Sequence, residues 1–249
     1  MKAIVLAAGK GERLKGTVDN IPKPMVKVKG KPILEYNILL LKKYGIFDIY
    51  INLHHYPDVI KEYFGNGEKL DVNIKYSYEE TLLGTAGAVR KIADEYWSNP
   101  GCFIVLYGDN LFECDLNEII DFHERKKGIA TIAVYQKDDV SHSGIVLLDS
   151  DNKIIKFIEK PNPEECISHL VNTGFYILEP HVLNYIPPDR PLDFGKDMFP
   201  KMIQQGENIF GVIVKCNLTA VDTPKLLKEA LQMKNIKNEV FDDNHKDTF

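Results

Sequence analysis

The sequence lacks the features that define several common classes of protein. Its four cysteines, Cys102, Cys114, Cys166 and Cys216, form no C-x-x-C pair, so neither a cysteine-rich zinc cluster nor a disulfide framework is expected. No run of about 18 apolar residues occurs, which argues against a membrane span. Lys and Arg number 31 against 36 Asp and Glu, for a net charge of −5. Nothing therefore indicates a general binder of nucleic acid, and any phosphate chemistry must come from a local site.

Two familiar nucleotide-binding fingerprints are also absent. A glycine loop, Gly9-Lys10-Gly11, follows the first apolar run, but Leu14 stands where the dinucleotide fingerprint needs a glycine. The Gly-Lys-Ser/Thr of the triphosphate P-loop is missing as well. The chain begins with the apolar run and its loop rather than with a basic segment, a long apolar stretch and a cleavage site. We therefore disfavour a dinucleotide-dependent oxidoreductase and expect a cytoplasmic enzyme.

The apolar pattern of the first ~135 residues alternates between two periods. Residues 3–8 and 102–107 are short apolar runs typical of buried parallel strands. Residues 33–44 have apolar side chains at helical spacing and end at Gly45, a helix stop. Such alternation of strand and helix predicts an α/β fold with layers of helices on a mostly parallel sheet.

After this point the rhythm changes. Residues 144–148 and 154–159 alternate around Ser150-Asp151-Asn152 and predict a hairpin. We predict a single domain over residues 1–235, with a first half over about 1–135 and a second half over about 136–235. The polar residues 236–249 are expected to form a C-terminal tail.

The glycine loop carries groups that suit a polyphosphate. Glycines allow backbone N–H groups to approach phosphate oxygens closely, and Arg13 offers a planar fork for them. Ten residues later Lys23 stands between two prolines, which hold it in an extended segment. Loop, arginine and lysine together predict a triphosphate clamp.

At this stage a family resemblance appears. The pattern G-x-G-x-R-L, ten residues and K-P resembles the signature of sugar-1-phosphate nucleotidyltransferases, most closely the mannose-1-phosphate guanylyltransferases. Further segments fit the same family in the same order, and the resemblance covers about residues 1 to 230: Leu83-Gly84-Thr85-Ala86-Gly87, Gly108-Asp109-Asn110, Glu159-Lys160-Pro161 and Val171-Asn172-Thr173-Gly174. It implies a Rossmann-like α/β/α fold of the nucleotide-diphospho-sugar transferase type, with a mixed, mostly parallel central sheet and a small β-rich sugar-binding part. In this fold about residues 1–135 would form the nucleotide half and about residues 136–235 the sugar-phosphate half.

The resemblance also implies roles for individual residues. The catalytic residues would be Arg13, Lys23, Asp109 and Lys160. The nucleotide would be bound by Leu6, Ala7, Ala8, Gly9, Gly11, Arg13, Lys23, Gly84, Thr85, Gly108 and Asp109. The sugar phosphate would be bound by Gly144, Glu159, Lys160, Asn172 and Gly174. Mg²⁺ would be the cofactor, with Asp109 and Asp222 as its ligands, an arrangement that suits a hard cation beside phosphates.

The sequence departs from the family at two points. Glu12 precedes the loop arginine where the family often has Thr. Near the C-terminal end, the segment Leu218 to Pro224 lacks the Trp and Gly of the family's W-x-D-x-G-T-P pattern, and Asp222 stands two positions late. Asp222 is nevertheless the only carboxylate in that segment, so it is the candidate for the second metal ligand.

The expected partners are a nucleoside triphosphate and a sugar 1-phosphate, without nucleic acid or membrane, while a homo-oligomer stays open. GTP and a mannose or manno-heptose phosphate are favoured, and UTP or dTTP with another hexose phosphate is the alternative. A non-catalytic sensor of nucleotide sugars would be expected to have lost Asp109 or Lys23, and both are present. A cytidylyltransferase for a phospho-amine shares the N-terminal motif, but Gly84 to Gly87 and Glu159 to Pro161 favour a sugar.

Overall fold

The chain was analysed as a computed structural model, which describes residues 1–9, 21–215, 217–220 and 224–232. Its strands are β1 (Lys2–Leu6), β2 (Lys27–Val28), β3 (Lys31–Pro32), β4 (Asp48–Leu53), β5 (Asn73–Tyr78), β6 (Phe103–Tyr107), β7 (Asn110–Glu113), β8 (Ala130–Gln136), β9 (Gly144–Leu148), β10 (Ile154–Glu159), β11 (Leu170–Leu178), β12 (Ile209–Ile213) and β13 (Asn217–Ala220). Its α-helices are α1 (Ile33–Lys43), α2 (Pro57–Phe64), α3 (Gly84–Tyr96), α4 (Leu116–Lys126), α5 (Phe199–Gln204) and α6 (Pro224–Gln232).

The nucleotide half is built on parallel strands. Strand β1 lies between β4 and β6, and β5 pairs with β4, all of them parallel. The central residues of β1, Ala3, Ile4 and Val5, are fully buried, because helices cover both faces of the sheet. This explains why the run is continuously apolar rather than alternating. The predicted parallel arrangement is confirmed here.

The sheet becomes antiparallel beyond β6. Strand β11 runs antiparallel to β6, β8 and β9, and β12 then pairs parallel to β8. The predicted hairpin is confirmed as the antiparallel pair of β9 and β10. These strands extend the central sheet of the nucleotide half, so nine strands form one mixed sheet within the described residues.

Helices lie on both faces of this sheet, and the sheet separates two large apolar cores. One core includes Leu34 of α1, Ile60 of α2 and Ile119 of α4. The other includes Val89 of α3 and Phe199 of α5. The α/β/α layering implied by the resemblance is thereby confirmed. None of the described helices is long and apolar enough to cross a bilayer.

One strand pair was not predicted. Strand β7 follows Asp109 directly and pairs antiparallel with β13. The sequence analysis assigned no element to this segment, because a four-residue strand gives too short a pattern to detect. The pairing brings the C-terminal segment back beside Asp109, and β13 ends at Ala220, two residues before Asp222.

A glycine with a left-handed backbone conformation interrupts the regular pairing of strand β11. The register of β11 against β8 shifts between Asn172 and Tyr176, and Gly174 lies inside that shift with φ +81°. A Cβ atom at Gly174 would stand 2.6 Å from the ring of Tyr107. Both the backbone angle and the close approach therefore require glycine.

Replacement of Gly174 by alanine should destabilise the protein more than an equally left-handed glycine elsewhere. The matched control is Gly206→Ala, where φ is +85° but nothing lies within 4 Å of the added Cβ. We expect the control to lower the free energy of unfolding by about 1 kcal/mol, and Gly174→Ala by about 2–4 kcal/mol because Tyr107 must also move. Urea unfolding of both variants measures the difference, and equal losses would show that the contact with Tyr107 is unimportant.

Candidate active site

A cleft opens at the carboxyl ends of the parallel strands. Its volume is about 280 Å³, and its position follows the rule that open α/β sheets bind ligands at this edge. The residues that line it come from the ends of β1, β4, β5 and β6, the start of α3 and a later loop: Leu6, Ala7, Ala8, Gly9, Lys23, Pro24, Asn52, Glu79, Leu82, Gly84, Thr85, Tyr107, Asp109 and Asp193. Eight of the residues predicted to bind the nucleotide are therefore in one place.

The floor of the cleft is the end of β1. Gly108, also predicted to bind the nucleotide, donates its N–H to the carbonyl of Leu6 at 2.9 Å. A Cβ atom at Gly108 would lie 3.0 Å from the same carbonyl oxygen. Gly108 thus holds the turn after β6 against the end of β1, and it is not among the lining residues of the cleft.

A buried hydrogen-bond relay joins the glycine loop to the turn before α3. The side-chain oxygen of Asn52 accepts the N–H of Ala7 at 2.6 Å, and its amide nitrogen donates to Glu79 Oε1 at 2.7 Å. The other oxygen of Glu79, Oε2, accepts the N–H of Leu83 at 2.8 Å. This chain of bonds, the Asn52–Glu79 relay, fixes the spacing between the two backbone segments that face each other across the cleft.

Glu79 is a carboxylic acid in an enclosed position. Its side chain is only 2% exposed, and burial raises the pKa of this carboxyl above its ordinary value although the bonds from Leu83 and Asn52 act in the opposite direction. Each carboxylate oxygen has two acceptor sites. Two of about four are used by the protein, so the carboxylate retains acceptor capacity toward the cleft.

The turn before α3 requires the residues that the resemblance singled out. Gly84 has φ +70°, and a Cβ there would stand 2.5 Å from the carbonyl oxygen of Leu192. Thr85 donates its N–H and hydroxyl to Asp193 Oδ1, at 3.0 and 3.2 Å, and its hydroxyl accepts the N–H of Phe194 at 2.8 Å. The Thr85 side chain therefore holds the turn against the loop at Asp193. Thr85 also lines the cleft.

Lys23 and Asp109 form an ion pair at the side of the cleft. The ammonium of Lys23 lies 2.6 Å from Asp109 Oδ2, although 86 positions separate the two residues. The Lys23 side chain is 8% exposed and that of Asp109 is 32% exposed. Lys23 begins a short 3₁₀ turn just after Pro22, which sets the direction of its side chain. The pair juxtaposes a cation for phosphate with a carboxylate suited to a hard metal ion.

The residues predicted to bind the sugar phosphate adjoin the cleft but do not line it. Glu159 is packed between two glycines, since a Cβ at either Gly144 or Gly195 would stand 2.6 Å from its Oε2. Burial is the main cause that raises the pKa of Glu159; Lys160 lowers it and Asp193 raises it further. Lys160 is exposed, has φ +51° and donates its N–H to Ser143 at 3.1 Å.

Asn172 is engaged within the protein. Its side-chain oxygen accepts the N–H of Gly174 at 2.9 Å, and its amide nitrogen donates to the hydroxyl of Tyr176 at 2.8 Å. Tyr176 in turn donates to the hydroxyl of Tyr107, at 3.2 Å, and Tyr107 lines the cleft. The observed role of Asn172 is to orient this pair of tyrosines, and its contact with the sugar phosphate stays a prediction.

Three predicted site residues, Gly11, Arg13 and Asp222, lie outside the described residues. The Mg²⁺ prediction can be examined at Asp109 alone. In the described part of the chain only Lys23 is bonded to its carboxylate, through Oδ2. A partly exposed carboxylate oxygen in a cleft is a donor that Mg²⁺ accepts, so Asp109 fits a metal ligand. The pairing of Asp109 with Asp222 stays a prediction.

The sequence analysis missed several residues that line the cleft. Asn52, Glu79, Tyr107 and Asp193 received no role. The structure has a π-helical turn over Phe194–Met198 and puts Asp193 itself in the lining. A signal was available for Asn52, because it is a buried polar residue near the carboxyl end of a mostly apolar strand, where open α/β sheets bind ligands.

Comparison with known proteins agrees with this geometry. The family model for nucleotidyl transferases matches residues 2–217, and the chain belongs to that family, as the resemblance predicted. A UTP–glucose-1-phosphate uridylyltransferase of Synechocystis is 39% identical, over 85% of this chain and 58% of that protein. A mannose-1-phosphate guanylyltransferase 1 of Arabidopsis thaliana is 33% identical, over 86% of this chain and 59% of that protein. The chain thus spans less than two thirds of the length of these curated relatives.

A solved structure has the same fold over nearly its whole length. It is a Bacillus anthracis protein with the provisional name glucose-1-phosphate thymidylyltransferase, solved with sucrose bound. The TM-score is 0.83 at 25% identity, and the match covers 93% of this chain and 94% of that chain. The three similar proteins have names that specify three different bases, so family membership leaves the base undecided.

The buried position of Glu79 predicts a pH-dependent effect of Glu79→Gln. The raised pKa means that ionisation of Glu79 costs stability, and this cost develops as pH rises from the ordinary value of 4.5 through the raised one. The glutamine variant loses one bond of the relay at every pH but never ionises. The difference in unfolding free energy between variant and wild type should therefore shift in favour of the variant as pH rises from about 4 to 7.

Urea unfolding at several pH values measures this shift. Glu80→Gln, one residue further on and exposed, is the matched control. A difference for Glu79→Gln that stays constant across the pH range would contradict the proposed environment of the carboxyl.

Proposed function

We propose that the protein transfers a nucleotidyl group from a nucleoside triphosphate to a sugar 1-phosphate and releases pyrophosphate. GTP and a mannose or manno-heptose 1-phosphate are the favoured substrates. The observation that carries the proposal is the Lys23–Asp109 pair, in which a cation and a metal-binding carboxylate meet at 2.6 Å beside the glycine loop. Nucleotidyl transfer needs both groups next to the triphosphate.

The reaction needs no nucleophile from the protein. A phosphate oxygen of the sugar 1-phosphate attacks the α-phosphorus in line, a new P–O bond forms, and the bond from the α-phosphorus to the β-phosphate oxygen breaks. The electron pair leaves with pyrophosphate. The task of the protein is to hold two mutually repelling anions in line and to neutralise charge as it moves.

Individual residues would divide this task. The backbone of residues 6–9 and the turn at Gly84 would hold the nucleoside. Lys23, with Arg13, would stabilise the departing pyrophosphate. Lys160 would attract the sugar phosphate, and Glu159 would accept hydroxyl groups of the sugar.

Asp109, with Asp222 as the predicted second ligand, would hold Mg²⁺, which when bound neutralises charge on the α-phosphate and the sugar phosphate. Because Lys23 occupies one oxygen of Asp109 in the structure, its ammonium would turn toward the phosphates when the substrates bind. The ion pair thereby keeps Lys23 beside the site before the triphosphate arrives.

The preference for guanine rests on the carboxylate of Glu79. Guanine presents two adjacent N–H donors on its Watson–Crick edge, N1–H and the 2-amino group, whereas uracil and thymine present a single N–H between two carbonyl oxygens. A carboxylate is an acceptor only, so it complements the two donors of guanine and repels the carbonyls of the pyrimidines. Glu79 lies in the lining of the cleft, with acceptor capacity beyond its bonds to Asn52 and Leu83.

A uridylyltransferase is the alternative, since the uridylyltransferase of Synechocystis is 39% identical to this chain. In that case Glu79 would serve only the Asn52–Glu79 relay, and the base would be recognised by main-chain groups around Gly84. A non-catalytic sensor of nucleotide sugars is disfavoured by the presence of both Lys23 and Asp109.

Loss of the Lys23–Asp109 ion pair should strongly reduce the rate of nucleotidyl transfer. We expect Lys23→Met and Asp109→Asn each to reduce the rate of pyrophosphate release by roughly 10²-fold or more, because each removes a group that neutralises phosphate charge. Lys27→Met, at an exposed position of β2, is the matched control.

The double variant Lys23→Met/Asp109→Asn separates chemistry from structure. It removes both charges, so its stability should recover relative to Lys23→Met, which leaves a carboxylate without its cation. If the pair were merely structural, activity would recover together with stability. Low activity in a stable double variant is the result we expect.

The base preference can be measured by testing four triphosphates against mannose, manno-heptose and glucose 1-phosphates. We expect GTP to give the highest kcat/KM, and Glu79→Gln to lower kcat/KM for GTP by about 10- to 100-fold because a charged acceptor is lost. Because the variant also loses one bond of the relay, kcat/KM for UTP should fall as well, but by a smaller factor than kcat/KM for GTP. A wild-type preference for UTP would refute the guanine assignment and leave nucleotidyl transfer intact.

A further inference from the structure

A second cluster of reactive side chains lies near the amino-terminal end of β6, whereas the cleft lies at the carboxyl end of this strand. Cys102 precedes β6, Glu179 follows β11, and His123 belongs to α4. The cleft adjoins the other end of β6, at Tyr107, and a five-residue strand is roughly 16 Å long. This cluster therefore belongs neither to the proposed active site nor to its supporting contacts.

Three different ligand types converge there. The Cys102 sulfur, a ring nitrogen of His123 and a carboxylate oxygen of Glu179 all lie within 4.8 Å of one another. His123 Nε2 and Glu179 Oε1 are 3.1 Å apart. Zinc bonds of about 2.0–2.3 Å in tetrahedral geometry put ligand atoms roughly 3.3–3.8 Å apart. The cluster is thus close to zinc dimensions, and a shift of about 1 Å or less would complete it.

The histidine is already held in the orientation that a metal ligand needs. Its side chain is 5% exposed, and its Nδ1 lies 2.8 Å from the hydroxyl of Thr131, which is fully buried. The bond to Thr131 fixes the ring, and Nε2 donates to Glu179 Oε1 at 3.1 Å in the metal-free protein. Metal binding at Nε2 would place the ring proton on Nδ1, where the hydroxyl of Thr131 accepts it, as in most zinc sites with histidine. Thr131 is thus a candidate outer-shell partner.

The accessibility of the cluster and the charge of its side chains also suit a divalent metal ion. The cluster opens into a cavity of about 450 Å³ lined by Met1, Cys102, Ile120, His123, Glu124, Lys127 and Glu179, and the Glu179 side chain is 43% exposed. A metal could enter from solvent and keep a water molecule as its fourth ligand. A thiolate and a carboxylate together carry two negative charges, which balance a divalent ion. The α-amino group of Met1 and the side chain of Lys127 are the nearby cations, and both have solvent to turn into.

We propose that Cys102, His123 and Glu179 form a binding site for a single zinc ion. Binding replaces the thiol proton of Cys102, which is released to solvent, by a bond from sulfur to the metal. The ion would connect the start of β6, the end of β11 and the last turns of α4. Its effect would be to stabilise this edge of the sheet, independently of nucleotidyl transfer.

Titration of the metal-free protein with Co²⁺ tests the proposal by absorption. Thiolate coordination gives a near-ultraviolet sulfur-to-cobalt band, which carboxylate sites such as Asp109 cannot produce. We expect the band in the wild type and in Cys166→Ser, the matched control at an exposed cysteine. Zn²⁺ should displace Co²⁺ and remove the band. Cys102→Ser should lack it.

Two further variants address the other ligands. Glu179→Gln is isosteric and lies at a half-exposed position, so it should fold, and it should bind Co²⁺ at least about 10-fold more weakly. His123→Asn keeps an amide near the position of Nδ1 but removes Nε2, and should lose binding. Zn²⁺ at about 100 times its Kd should raise the Tm of the wild type by about 5 °C and leave that of Cys102→Ser unchanged.

The proposal fails if the wild type gives no sulfur-to-cobalt band, or if the band persists in Cys102→Ser. Equal affinity in Glu179→Gln would also overturn the assignment of that residue. Melting curves without metal show whether each variant is folded, so that loss of binding is not confused with loss of structure.

Discussion

The cleft depends on the Asn52–Glu79 relay. Burial of a carboxyl group is unfavourable unless hydrogen bonds replace its water, and here the amide of Asn52 and the N–H of Leu83 do so. The same hydrogen bonds connect the N–H of Ala7, through Asn52 and Glu79, to the turn before α3. Two backbone segments that come from different strands are thereby held at a fixed spacing. A nucleoside bound between them would meet main-chain groups that are already in position, so little ordering would accompany binding.

A second constraint acts at the side of the cleft. The protein carries a net charge of −5, so the proposed triphosphate would gain no general attraction from it, and local cations would have to provide the binding energy. Lys23 is such a cation, but a buried lysine without a partner would be costly. The carboxylate of Asp109 removes this cost at 2.6 Å. A single ion pair thus stabilises the side of the cleft and holds together the two groups proposed to bind phosphate and metal.

Residues that act through main-chain geometry and local pattern were predictable from the sequence. The continuous apolar run of β1 indicated a parallel strand, and the glycines at 84 and 108 stand where backbones approach one another. The relay was not predictable, because Asn52 and Glu79 belong to no local motif and meet only when β4 and β5 pair. Strand β7 was also missed, since its partner lies about a hundred residues away. Single-sequence patterns carry no information on such long-range pairing.

The two ends of the parallel strands carry different types of candidate metal ligand. At the carboxyl edge the candidate ligand is the oxygen of Asp109, which suits a hard ion such as Mg²⁺. At the opposite edge a thiol and an imidazole accompany Glu179, and these softer ligands favour zinc. The difference in ligand softness would favour a different ion at each site. The fold itself enforces this separation, since every parallel strand that ends at the cleft begins at the other edge.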